Sequence, residues 1–184
     1  PPGGSVDVVA RLVTAKLTEN LGQQFIVDNR SGASGNIGTE LVAGSPPDGY
    51  TLLIQTIPFV ANQFLLSRVP YDPVRDFAPV SLMASSPSLV TVHPSLPVRS
   101  VKDLIALAKA RPGQLNYAGA GVGTNPHIAG ELFNLLAGLN IVAVQFKGGG
   151  PADLATIGGE VEMTFGNISQ ELAYVNSGRL RALA

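Results

Sequence analysis

Short apolar runs alternate with helical patterns along this chain, and that alternation limits the folds open to it. In the second half, "LVTVHP" (89–94), "LNYAGA" (115–120), "IVAVQF" (141–146), "VEMTF" and "LRALA" read as strands. Between them lie a helix opened by Ser100, with Asp103 three residues on as a variant capping box, a helix from Asn125 to Ala137, and helices in "PADLATIGG" and "ISQELAYVNSG". In the first half, Val6, Val9, Val13, Leu17 and Leu21 keep helical spacing and Gly22 stops the helix. "FIVDN" (25–29), "YTLLIQT" (50–56) and "APVSLMA" (78–84) read as strands, with helices expected over 36–43 and 58–66. Strands alternating with helices predict α/β layers with mainly parallel sheets. Small residues at Ser85-Ser86-Pro87-Ser88 interrupt two strands, which predicts a first α/β lobe over 1–85 and a second over 86–184.

Composition narrows the function. The chain has 184 residues, 45% hydrophobic and only 14% charged, enough to bury a core. A net charge of -1 with scattered basic residues gives no nucleic-acid footprint. There is no cysteine, so disulfides, thiolate metal sites and cysteine nucleophiles are excluded. The chain opens on Pro-Pro and closes in what reads as a strand, so both ends are expected to be cut and a missing leader peptide carries no weight.

Motifs for covalent and cofactor chemistry fail one by one. Two histidines, His93 and His127, leave no ligand set, since HExxH is absent and His127 has only Glu131 one turn on. "GGSVD" and "GASGN" both miss the G-x-S-x-G elbow, and no Gly-Lys dipeptide exists for a Walker loop. In "GAGVGT" the glycines at 119, 121 and 123 have the wrong spacing for a dinucleotide fingerprint, and Thr124 stands where a third glycine is needed. No catalytic residue, metal or cofactor is therefore expected.

What remains is backbone chemistry. "PPGGSVD" and "GAGVGTNPH" each lead into a helix through glycines. Free N–H groups at a helix start carry about half a positive charge, and glycine lets a ligand approach them. Ser5 and Thr124 add hydroxyls. Such a loop suits a carboxylate, although each alone also reads as a tight turn. Charge-assisted bonds of about 1.5–3 kcal/mol each can supply the roughly -8 kcal/mol of micromolar binding. Lys147 in "FKGGGPA" and Asn167 after "TFG" occupy similar strand ends. Asp28, Asn29 and Arg30 read as a polar structural loop.

The segments "PPGGSVDVVARLV", "VDNRSGASGNIGTELVAGSPPDGYTLL", "YDPVRDFAPVSLMA", "LNYAGAGVGTNPHIAGELF" and "FKGGGPADLATIGGEVEMTF" together resemble the Bug family, the substrate-binding receptors of tripartite tricarboxylate transporters, over essentially the whole chain. The resemblance implies a two-lobed periplasmic-binding-protein (Venus-flytrap, type II-like) fold, a periplasmic location, a small organic acid as ligand, and membrane permease subunits as partners of a monomeric receptor. It implies ligand capture between the lobes, with a first strand before Pro1 and a return to the first lobe after Ala184. Carried over residue by residue, it assigns ligand contacts to Gly3, Gly4, Ser5, Asp7, Thr56, Ile57 and Pro58 of the first lobe. In the second lobe it assigns Gly121, Gly123, Thr124, His127, Lys147 and Gly148, and the strand end at Asn167 joins them. Phe146 replaces a frequent Tyr, and Gly166-Asn167 replaces a frequent Asp-Asn, so no relative's ligand is borrowed. Two rival readings are an α/β enzyme on an anionic substrate with His127 as acid–base, and a sensor receptor for the same ligand.

Overall fold

The computed structural model describes residues 2–184. The chain divides into two compact units, Pro1–Ser85 and Ser86–Ala184.

Unit 1 is helical. Helix α1 spans Ser5–Leu21, a 3-10 turn spans Ala33–Gly35, and helices α2 and α3 span Asn36–Ala43 and Pro58–Leu65. α1 ends where expected, with Gly22 in the left-handed region at φ 65° and its N–H returned to the Thr18 carbonyl. Polar groups hold much of this unit. Asn62 Nδ2 donates to Asn36 Oδ1 at 2.7 Å, the Tyr71 hydroxyl donates to the Phe59 carbonyl at 3.1 Å, and Phe59, Tyr71 and Phe77 form an aromatic trio.

The expected strands at 25–29, 50–56 and 78–84 do not form. The three segments lie outside any helix or ladder, and Ile26, Val80 and Leu82 stay more than 80% exposed. A strand-like pattern records side chains that suit a pleated surface, whereas the strand itself needs a hydrogen-bonded neighbour. Among the described residues these three segments have none.

Unit 2 follows the sequence reading closely. Its strands are β1 (Ser88–Val92), β2 (Asn116–Gly119), β3 (Val142–Gln145), β4 (Met163–Asn167) and β5 (Arg181–Ala182). Its helices are α4 (Val101–Ala110), α5 (Asn125–Ala137), α6 (Gly149–Ile157) and α7 (Ile168–Asn176). The sheet order is β3-β2-β4-β1-β5. β2 pairs parallel with β3 and β4, but β1 runs antiparallel to both β4 and β5. The sheet is therefore mixed rather than mainly parallel. α4 joins β1 to β2, yet the two strands run in opposite senses and β4 lies between them, so this connection is not a parallel βαβ crossover.

Strand alternation puts a core on each face. Tyr117, Met163, Phe165 and Val92 pack with Leu104 and Ala108 of α4, while Ala118 packs with Ala152 and Ala155 of α6 and with Val161. The antiparallel register sets Ser88, the first residue of β1, opposite Asn167, the last of β4. One edge of the sheet thus collects the ends of β2, β3 and β4, the start of β1, and the N-termini of α5, α6 and α7.

Candidate anion site

The edge of unit 2 is built from three helix starts. Helix α5 is entered through Gly121 (φ 116°) and Gly123 (φ 79°), backbone conformations that a side chain would strain. The Gly121 N–H donates to Gln145 Oε1 at 3.0 Å, which ties the loop to the end of β3. The Gly123 N–H donates to His127 Nδ1 at 3.2 Å, and the Thr124 hydroxyl donates to the Gly121 carbonyl at 2.6 Å. Several donors expected to await a ligand are therefore used to shape the loop. Because Nδ1 accepts, neutral His127 carries its proton on Nε2. The amides of Asn125 and His127, in the first turn of α5, have no intrahelical acceptor.

Helix α6 starts at Gly149 behind Gly148, a buried residue at φ 114°, and Lys147 just before it is exposed. A Cβ on Gly149 would lie 3.3 Å from Gln170 Oε1, so the starts of α6 and α7 are adjacent. Helix α7 starts behind Asn167, and its Ile168 N–H donates to the Pro87 carbonyl at 3.2 Å. Asn125 Nδ2 links α5 to this corner, donating to Ser88 Oγ at 2.6 Å and lying 3.5 Å from Asn167 Oδ1. Below the edge, the buried Tyr117 hydroxyl donates to Glu131 Oε1 at 2.7 Å, with the His127 carbonyl 3.2 Å away. Burial and this bond to Glu131 push the Tyr117 phenol well above its ordinary range.

The structure thus gathers Gly121, Gly123, Thr124, His127, Gly148 and Asn167 on one edge of unit 2. Sequence reasoning missed Ser88, Asn125 and Gln145. Asn125 sits beside a proline at a helix start and Gln145 closes a strand, and both positions were open to inspection.

In unit 1, Asp7 organises the first glycine loop. Its Oδ2 accepts from the Gly3 N–H at 2.8 Å, and its Oδ1 accepts from Asn29 Nδ2 at 2.8 Å and pairs with Arg11 Nε at 3.0 Å. The Asn29 bond, then the Gly3 and Arg11 bonds, hold its carboxyl far below the usual carboxylate range. Asp7 is thereby a neutralised brace for the loop that holds Gly4 and Ser5. Thr56, Ile57 and Pro58 form the entry to α3, with Thr56 and Ile57 exposed and Pro58 buried. Asn29, read from sequence as structural, is the partner that fixes Asp7.

The sequence and the fold both match known proteins. The model of the tripartite tricarboxylate transporter family receptor matches residues 9–184. The chain belongs to that receptor family. BugT of Bordetella pertussis is 41% identical over all of this chain and 57% of its own length. A UPF0065 protein from the tcbD-tcbE intergenic region of a Pseudomonas species is 39% identical over all of this chain and 54% of its own length. The chain spans about half the length of these curated relatives. Among solved structures of the receptor family's kind, R. palustris Rpa4515 with adipate superposes at a TM-score of 0.97 with 42% identity, covering all of this chain and 62% of that one. MatC from Rhodopseudomonas palustris with bound malate superposes at 0.91 with 30% identity, covering all of this chain and 63% of that one. The periplasmic binding protein BugD superposes at 0.92 with 28% identity, covering 99% of this chain and 61% of that one.

Proposed function

We propose that this chain is the ligand-holding part of a periplasmic receptor that captures a small carboxylate and hands it to the membrane permease of a tripartite transporter. The observation that carries the reading is the convergence of three helix N-termini on one edge of unit 2, with Gly148, Asn125, Thr124 and His127 around them. Each helix start contributes partial positive charge, and the first turn of α5 adds the Asn125 and His127 amides, which have no intrahelical acceptor. The ligand's negative charge is thus met by oriented dipoles, and Lys147 is the one formal cation in the loops at this edge. In unit 1, the Gly3–Gly4 loop braced by Asp7 leads into α1, a fourth helix start with its own partial positive charge, and the Thr56–Pro58 turn leads into α3. Adipate and malate in two solved relatives support a small acid, and a dicarboxylate in particular.

Calorimetry and a thermal-shift screen test this with adipate, malate, a monosaccharide set and divalent cations. Adipate or malate at about 100 times its dissociation constant adds about 2.7 kcal/mol to stability, a shift such a screen resolves. Stabilisation by sugars or cations with no response to any acid overturns the reading.

A further inference from the structure

Behind the anion site, on the face of the sheet that α6 and α7 cover, two acids are buried together. Asp153 of α6 is 4% exposed, and Glu171, in the first turn of α7 and four residues past Asn167, is fully buried. Thr91 Oγ1 donates to Glu171 Oε2 at 2.9 Å. Glu171 Oε1 is buried with no donor while both acids are ionised. Gly166 of β4 passes against this carboxyl so closely that a Cβ there would overlap Oε1 and lie 2.5 Å from the carboxyl carbon. The absent side chain at 166 is the space Glu171 occupies.

The two carboxyls are hydrogen-bonding neighbours, and two carboxylates have only acceptors to offer each other. A proton on Asp153 resolves this, because its O–H donates to Glu171. The surroundings supply no other charge. β1 and β4 carry no ionisable residue, and β2 carries only Tyr117, which packs in the core of the other face and bonds Glu131. α6 carries only Asp153, and α7 only Glu171 and Tyr174. Lys147, two residues before α6, is exposed.

We propose that Asp153 and Glu171 hold one shared proton that locks α6 to α7 behind the anion site, so that carboxylate capture is linked to protonation of this pair. The linkage rests on the carboxylate reading above. The lock itself does not. Loss of the proton breaks the bond between two helices whose N-termini face the ligand, and adds a second buried negative charge behind it. Both effects oppose an anion, and by reciprocity anion binding draws a proton onto the pair. Burial, followed by the charge of Glu171 and the hydrogen bond to it, pushes the Asp153 carboxyl up to about 8. Burial also raises Glu171, against the bonds from Asp153 and Thr91 that lower it. The pair therefore keeps one proton at neutral pH. Since the folded value lies above the unfolded 3.8, its contribution to stability is complete below about pH 4 and is lost as pH rises toward 8.

The test has two arms on the receptor, its Asp153→Asn variant and its Glu171→Gln variant. Without ligand, the difference in melting temperature between wild type and Asp153→Asn is followed from acid to alkaline pH. Wild type is expected to lose stability relative to the variant as pH rises to about 8, and a constant difference overturns the lock. In the second arm, adipate and malate are titrated calorimetrically near pH 8, in two buffers of different ionisation enthalpy. Wild type is expected to take up protons on binding and to weaken on the order of tenfold between neutral and alkaline pH, while Asp153→Asn does neither. Binding without proton uptake overturns the linkage and leaves the carboxylate reading standing. Failure of both acids to bind at any pH overturns the carboxylate reading and the linkage together, while the ligand-free arm still decides the lock. If either variant misfolds, proton uptake by wild type alone decides the linkage, and the remaining variant serves the first arm.

Discussion

At the scale of single residues, the same side-chain type does opposite work in the two units. Asp7 is ionised and satisfied three times over, by Gly3, Asn29 and Arg11. Asp153 is buried against another acid and keeps its proton. The chain contains both signs of pH linkage as a result. Asp7, with its folded value below the unfolded one, contributes stability that is present above about pH 4 and lost as pH falls. Asp7→Asn keeps the shape but gives up the charge and sets an amide NH2 against donors on one side, the Gly3 N–H or the Asn29 and Arg11 groups. The expected outcome is a lower melting temperature of unit 1 at neutral pH and a smaller loss on acidification. An unchanged acid limb in the variant would show that Asp7 does not brace the loop.

Elements show where the sequence was legible and where it was not. Unit 2 could be read because its strands, helices and turn glycines agree locally with the fold. Ser100 caps α4 as its sequence suggests, with Oγ accepting from the Asp103 N–H at 3.1 Å. The direction of β1 could not be read, since nothing in "SLVTV" distinguishes a strand running up the sheet from one running down. The strand-like runs of unit 1 misled for a related reason: a ladder is a property of two segments, and the pattern of one segment cannot supply the second. At the site, the glycine loops were visible from their composition, but the consumption of their amides by Gln145 and His127 depends on contacts across 24 and 4 residues. The pairing of α5 with β2 was equally hidden. Gly130 lies flat against the Tyr117 ring, leaving no room for a Cβ. Gly130→Ala gains about 1 kcal/mol of helix propensity but overpacks a ring pinned by Glu131, at about 1–3 kcal/mol. Net destabilisation in urea unfolding is expected. In a Tyr117→Leu background the clash is relieved, and the same alanine should become stabilising. A stabilising effect in both backgrounds would mean the helix yields more easily than the packing implies.

For the whole molecule, the contrast between the units predicts unequal stability. Unit 2 has a five-stranded sheet with a core on each face. Unit 1 has three helices and a small aromatic and amide core, and it leaves Ile26, Phe64, Val74, Val80 and Leu82 more than 80% exposed. Protection of backbone amides tracks hydrogen bonding and the free energy of local opening. In unit 2, β4 is paired on both sides, to β2 and β1, and its Met163 to Phe165 segment is buried. In unit 1, the 78–84 segment belongs to no helix or ladder and every residue in it is exposed. Hydrogen exchange read by mass spectrometry should therefore show deuterium entering 78–84 at the earliest times, while 163–165 stays protected by orders of magnitude. Denaturant unfolding followed by two probes, one in each unit, should give two transitions, with unit 1 opening first and a single free energy of unfolding left undefined. The three helix starts at the edge of unit 2 thus stay organised on a rigid sheet while unit 1 opens locally. Equal protection of the two segments, with coincident transitions, would mean that the two units unfold as one cooperative body.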